Sequence, residues 1–166
     1  FAVLLDDALA VELGAAIHGA VTDVQVHADG YKKSISSPGI GNYLTFAKAV
    51  ARAVRDIGEE PIRRRSFVQA HGTGTPQNRT SESQILDRVA GAFGIEEWPV
   101  AAIKCFVGHT MAAAGGDQLA STLGVFERGI LPGIATIDEV AADVERAHLR
   151  FSPRPLQRSP MDWDAA

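Results

Sequence analysis

Three stretches of this sequence carry apolar residues at helical spacing and run into a glycine, and short apolar runs stand between them. That alternation constrains the chain to a layered α/β architecture more tightly than any other feature. The clearest stretch is 42–57, where Tyr43, Ala47, Val50, Val54 and Ile57 share one face. Gly58 follows it as a left-handed stop. A second helix is predicted over 81–93, with Ser81 and Gln84 at capping-box spacing and Gly94 at its end. A third is predicted over 110–128, stopped by Gly129. Strands are predicted at 1–5, loosely at 17–28, at 66–70, at 100–103 and last at 148–151. Between them, 8–16 reads as a helical or loop excursion, 30–41 as turn-rich, and 137–144 as a helical turn or two. The expectation is one domain over residues 1–151, α/β, with a mixed sheet of about five strands flanked by helices. An irregular tail, 152–166, carries three prolines and no apolar periodicity.

Composition removes several function classes. The 166 residues suit one domain with a real core, and the net charge of −4 supplies no cationic surface for nucleic acid or anionic lipid. The densest basic run, Arg63-Arg64-Arg65, reads as a solvated loop. The single cysteine, Cys105, rules out an intramolecular disulfide and a cysteine metal cluster, and fits a reducing cytoplasm. No apolar stretch approaches the roughly 20 residues of a membrane span, and Asp6-Asp7 ends the opening apolar run too early for a signal peptide. The first residue is Phe1 rather than Met, which reads as processing or as excision from something longer.

Two segments can carry chemistry. In His71-Gly72-Thr73-Gly74-Thr75-Pro76, an apolar strand delivers a histidine to a glycine-rich turn whose amides and hydroxyls can face a ligand closely. Alone, a histidine in a turn is more often structural; the surrounding residues shift that balance. The second segment is Lys104 to Gly116. A strand ends at Lys104, Gly108 makes a turn, and His109 stands at the start of a small-residue helix. The positive end of a helix dipole disfavours protonation there, and a neutral imidazole can donate to developing negative charge. A capping histidine on a tightly packed helix weighs equally on this segment alone. His18, His27 and His148 lack metal-ligand spacing to either histidine, so no metal site is expected. The phosphate-loop, dinucleotide and nucleophile-elbow patterns are absent.

At these residues the chain resembles the β-ketoacyl synthase family of the thiolase fold, in its C-terminal half. Val68-Gln69-Ala70-His71-Gly72-Thr73-Gly74-Thr75-Pro76 is the most specific match. Ile103-Lys104, Gly108-His109-Thr110, Ala113-Ala114-Gly115 and Gly129-Ile130-Leu131-Pro132 follow at family-like spacing. Phe1–Leu5 resembles the strand after a mid-protein glycine-rich loop, and Asp29–Val54, with Ser36-Ser37-Pro38, resembles the loop and helix before the first histidine motif. The resemblance implies a thiolase-like α/β half and a decarboxylative condensation of malonyl and acyl thioesters, in fatty-acid or polyketide synthesis. It implies His71 and His109 as oxyanion donors, Lys104 as the lysine that organises the pocket, and Thr73 and Thr75 as contacts to a pantetheine arm. No cofactor is implied beyond the phosphopantetheine of an acyl carrier protein. The partners implied are that carrier protein, an N-terminal ketosynthase half on the same or a separate chain, and a second copy in a dimeric enzyme. Nucleic acid and membrane are not among them.

The chain departs from the family pattern in three ways. The family's nucleophilic cysteine lies in the N-terminal half, and Cys105, just after the lysine, reads instead as a small core residue. The glycine-rich strand that should follow Phe151 is replaced by Ser152-Pro153-Arg154-Pro155. Arg79 stands where many members have aspartate, Glu82 matches a frequent glutamate, and Gln118, beside Asp117, stands where a carboxylate pairs with the lysine. Two readings follow: a catalytic half that lacks its nucleophile, inactive as an isolated chain, or a non-catalytic partner or scaffold of an active synthase.

Overall fold

A computed structural model describes residues 2–28 and 39–166. Phe1 and the turn-rich stretch with Ser36-Ser37-Pro38 lie outside the described residues, apart from Gly39 to Gly41.

Strands β1 (Val68–Gln69), β2 (Trp98–Ala101) and β4 (Leu149–Arg150) form a parallel sheet in the order β1-β2-β4. Alternation along the first strand divides the core. Val68 and Ala70 face one layer, with Val100, Leu86, Val89, Ala90, Ile95, Trp98 and Leu149. Phe67 faces the other, with Ala101, Val125, Leu131 and Trp163. A two-residue side-chain period requires this two-sided burial. Helices α2 (Ile40–Ile57), α3 (Glu59–Arg64) and α4 (Pro76–Phe93) cover the first face. Helix α6 (Ala114–Arg128) covers the second, with Phe126 packed edge-on against Phe67. The α/β class therefore holds. The five strands are divided, though, since β3 (Ile130–Leu131) and β5 (Leu156–Gln157) make a separate antiparallel pair.

Several local expectations are corrected. Helix α4 starts at Pro76, five residues before Ser81, because Thr75 caps it and proline at N1 sacrifices no hydrogen bond. The Ser81 hydroxyl instead donates back to the Gln77 carbonyl (3.0 Å). Gly58 ends α2 at φ 105°, ψ 160°, outside the left-handed helical region, because α3 follows at once. Arg63 and Arg64 therefore lie on a helix and pair with Glu59 and Glu60 one turn back. Helix α6 begins at Ala114 after a 3-10 turn over Met111–Ala113. The segment 137–144 forms turns and bends without a helix.

The predicted strands at 2–5 and 17–28 have no regular structure, and Val3, Val24 and Val26 stay exposed, Val26 at 84%. On the outer side of β1, residues 164 and 165 already occupy the edge next to Phe67. The Phe67 amide donates to the Ala165 carbonyl (3.2 Å), and Asp164 donates to Arg65 (2.7 Å). A strand without a ladder partner gains nothing from extension. Within this stretch, helix α1 (Asp7–Glu12) forms with Asp6 as its cap.

The segment 152–166 is not an irregular tail. It holds β5 and a 3-10 turn over Pro160–Asp162, and it buries Trp163 edge-on against Phe67 at 5.2 Å. Gly129 makes that return possible. It sits at φ 71°, and a Cβ there would lie 2.0 Å from the Arg158 carbonyl oxygen. Only glycine meets both demands.

Candidate active site

The site is assembled at the C-terminal ends of β1 and β2, where parallel strands in α/β sheets present their ligand-binding groups. At the end of β1 the backbone finds partners on β2, α4 and α6. The Ala70 amide donates to Ala101 on β2 (2.8 Å). The amides of His71 and Gly72 donate to the two oxygens of Glu82, on α4, at 2.6 and 2.9 Å. Asn78 steadies the same carboxylate (2.7 Å). The Ala70 carbonyl accepts from the Gln118 side chain on α6 (2.8 Å). Gly72 turns at φ 56°, where a Cβ would come within 2.7 Å of the Ala102 side chain. Its place in the motif is therefore set by close approach of β2 as well as by backbone sign.

Lys104 opens a short helix, α5 (Lys104–Val107), rather than ending a strand. Although only 8% exposed, it brings Nζ to 3.5 Å from His71 Nδ1. Among the described residues no carboxylate forms an ion pair with it. Gln118, at the family's carboxylate position, is committed to β1 instead. Asp117 accepts from the Thr110 hydroxyl.

His109 follows Gly108, and its Nδ1 accepts the Met111 amide at 3.1 Å. Met111 achieves this at φ 56°, an uncommon conformation for a residue with a side chain. The two imidazoles meet edge to face, with centroids 5.4 Å apart at 86°. The hydrogen-bond pattern selects a tautomer. An amide N–H and an ammonium can only donate, so each Nδ1 is an acceptor and each neutral ring carries its proton on Nε2. Burial pushes the His71 pKa below the ordinary histidine value, and the nearby Lys104 cation and His109 push the same way against Glu82. His71 is therefore the neutral imidazole at pH 7.

A cavity of about 970 Å³ opens between α4, the end of β2 and the segment 134–144. Thr73, Lys104 and His109 line its polar end, and Leu86, Val100 and Ile137 an apolar part. The sequence thus points to three side chains that the fold brings together, His71, Lys104 and His109, of which Lys104 and His109 line the cavity together with Thr73. Thr75 chiefly caps α4, with its hydroxyl 3.3 Å from that of Thr73. The Cys105 sulfur accepts the Ala135 amide (3.3 Å) and lies 3.8 Å from the Gly133 carbonyl, so it ties down the loop after β3.

One side of the cavity depends on residues the motifs did not reveal. Arg79, Ser83 and Asp87, four apart on α4, bind the segment leading into β4. Arg79 pairs bidentately with Asp143 at 2.8–3.1 Å. The Ser83 hydroxyl accepts the Glu145 amide (3.1 Å), and Asp87 accepts the His148 amide (2.7 Å) while lying 3.3 Å from its ring. The one available signal was polar residues recurring every four positions on an otherwise buried helix face.

Comparison with known proteins identifies the family and the fold. The family model for the C-terminal domain of β-ketoacyl synthases matches residues 18–138. β-Ketoacyl-[acyl-carrier-protein] synthase FabY of Pseudomonas aeruginosa is 61% identical over 158 residues, which cover 95% of this chain and 25% of FabY. The crystal structure of P. aeruginosa FabY superposes with a TM-score of 0.89 at 61% identity, covering 93% of this chain and 24% of that one. An oxazolomycin ketosynthase domain from Streptomyces albus JA3453 shares the fold at 20% identity, with a TM-score of 0.78 over 91% of this chain and 26% of that one. The chain thus spans about a quarter of the length of FabY. No helix among the described residues is long and apolar enough to cross a membrane. The motif order, the clustered histidines and lysine, and the match over most of the sequence establish that the chain belongs to the β-ketoacyl synthase family, as its C-terminal, thiolase-like domain.

Proposed function

We propose that this chain supplies the histidine and lysine half of the active site of a β-ketoacyl-[acyl carrier protein] synthase. Such an enzyme joins malonyl and acyl thioesters in fatty-acid or polyketide synthesis. The convergence of His71, His109 and buried Lys104, with both Nδ1 atoms held as acceptors, carries the reading. It leaves two Nε2–H groups as donors.

In this proposal the acyl group waits as a thioester on a cysteine of an N-terminal half outside these residues. The malonyl thioester arrives on the phosphopantetheine arm of an acyl carrier protein, with Thr73 and Thr75 against the arm. Loss of carbon dioxide leaves the bonding electron pair in an enolate whose charge lies on the thioester oxygen. Two neutral N–H donors preorganised at that oxygen stabilise it without themselves losing a proton. The enolate carbon attacks the acyl carbonyl, and the cysteine thiolate leaves as the tetrahedral intermediate collapses. Lys104 acts through His71, whose low proton affinity it reinforces. Cys105 is not the nucleophile, because its sulfur is engaged with Gly133 and Ala135. The complete enzyme works as a dimer in the cytoplasm.

The test mixes this chain with acyl- and malonyl-carrier protein, with and without an N-terminal ketosynthase half. Condensation is expected only with both halves and is lost in His71→Ala. Condensation by the chain alone would overturn the divided site. No product from the two halves together would favour a non-catalytic scaffold.

A further inference from the structure

We infer that Gln118 is a positioning residue for His71: its amide holds the carbonyl leading into the histidine and keeps the α6 side of the site free of added negative charge. The inference rests on the reading of His71 as an oxyanion donor.

The end of β1 presents both donors and acceptors that need partners. Its last amides are satisfied by Ala101 and Glu82, all donating. What remains is acceptors, the carbonyls of Gln69 and Ala70. Gln118 Nε2 lies 2.8 Å from the Ala70 oxygen and 3.4 Å from that of Gln69. One turn on, Ser121 accepts from the Gln69 side chain (3.0 Å). Helix α6 therefore grips β1 at two points separated by three residues, directly before His71. A carbonyl oxygen needs a donor, and an ionised carboxylate has none. Glutamate at 118 would set acceptor against acceptor, whereas glutamine supplies the N–H and no charge.

Charge around the ring matters as well as its aim. The groups facing His71 are Lys104 from α5, His109 from the loop before α6, and Glu82 from α4. The acid next along α6, Asp117, is held by the Thr110 hydroxyl. A carboxylate at 118 would oppose the Lys104 cation and favour the charged imidazolium, which cannot serve as a neutral donor. The same amide that aims His71 thus leaves its electrostatic setting intact.

The experiment is an NMR titration of His71 in the chain, with the cross-peak between the His71 and His109 rings as a second readout. In Gln118→Glu, the His71 midpoint is expected to move upward beyond the titration error. In Gln118→Met, which removes the donor and adds no charge, the inter-ring cross-peak is lost and any midpoint shift is smaller than in Gln118→Glu. Restoring the donor with Gln118→Asn and recovering part of the cross-peak would support positioning over bulk packing. Unchanged titration in the first variant, or an unchanged cross-peak in the second while the fold is intact, would overturn the inference. Both readouts use the chain by itself, so they stand apart from the reconstitution assay that decides the condensation reading.

Discussion

Replacing Asp87 with alanine should destabilise the fold by about 2–3 kcal/mol, and replacing it with asparagine by about 1 kcal/mol or less. Asp87 is 9% exposed on the inner side of α4. One oxygen accepts the His148 amide at 2.7 Å, and the other faces the ring of the same residue at 3.3 Å. A hydrogen bond to a charged group contributes about 1.5–3 kcal/mol net. Alanine removes it and leaves a partly buried amide without that partner. The loss falls where it propagates, because the His148 carbonyl accepts the Trp98 amide (2.8 Å) that starts the β2–β4 ladder. The ring also lies against Gly91, where an added Cβ would stand 3.0 Å from His148 Cε1. Asparagine keeps an acceptor for the amide and loses only the charge.

Urea unfolding followed by tryptophan fluorescence is the assay, since Trp98 and Trp163 are both buried and report on opposite faces of the sheet. For a domain of this size the alanine variant should also melt about 5–10 °C lower. Arg79→Met supplies the contrast. Its bidentate pair with Asp143 is more regular, but both side chains are well exposed, and such pairs add little. The order expected is alanine at 87 well below asparagine at 87, with methionine at 79 close to wild type. If Asp87→Ala unfolds with wild-type stability, or if Arg79→Met costs more, the ranking of these attachments by burial is wrong.

Three other outcomes are expected. Lys104→Met should raise the His71 midpoint measured by NMR, because one of the causes holding it down is gone while burial remains; in the unaltered chain, a folded pKa below the unfolded value means His71 contributes stability that rises with pH up to about 6.5 and falls below it. Gly129→Ala should cost at least about 2 kcal/mol in urea unfolding, since left-handed backbone alone costs a residue with a Cβ about 1–2 kcal/mol and the Arg158 carbonyl blocks the added carbon. Trp163→Ala should cost about 3–5 kcal/mol by the same assay, because the ring is buried against Phe67 and under the Arg158 guanidinium.

What the sequence disclosed follows from how far each signal reaches along the chain. Helix α2 was legible because its face repeats through four turns. His71, Lys104 and His109 were legible because each sits in a motif of adjacent residues. The start of α4 was misplaced because Ser81 with Gln84 resembles a capping box, while in the structure the Ser81 hydroxyl bonds back within the helix. The expected strands at 2–5 and 17–28 failed for a different reason. A period-two pattern states which face is apolar but not whether a ladder will receive it; on the outer side of β1, for example, residues 164 and 165 already stand. The same long-range pairing hid the role of the segment after Phe151, whose prolines masked a strand and a buried tryptophan. Asp87 and Gln118 were unreadable as contacts because their partners lie 61 and 48 residues away.

The division of charge around His71 connects these contacts to the proposed chemistry. Glu82 is the carboxylate nearest the motif, yet its oxygens are spent on the amides of His71 and Gly72 and on Asn78. Charge so engaged orders the backbone and is poorly placed to neutralise Lys104. Gln118, where a second carboxylate would stand, brings none. Among the described residues Lys104 has no ion-pair partner, and a buried cation so left is costly to a fold, which makes it hard to explain by stability alone. It is intelligible if negative charge arrives transiently, as on the enolate oxygen of the proposed condensation. The fold would then hold a site whose electrostatic balance is completed by the reacting group, with His71 kept neutral in the interval by burial first and by the same lysine second.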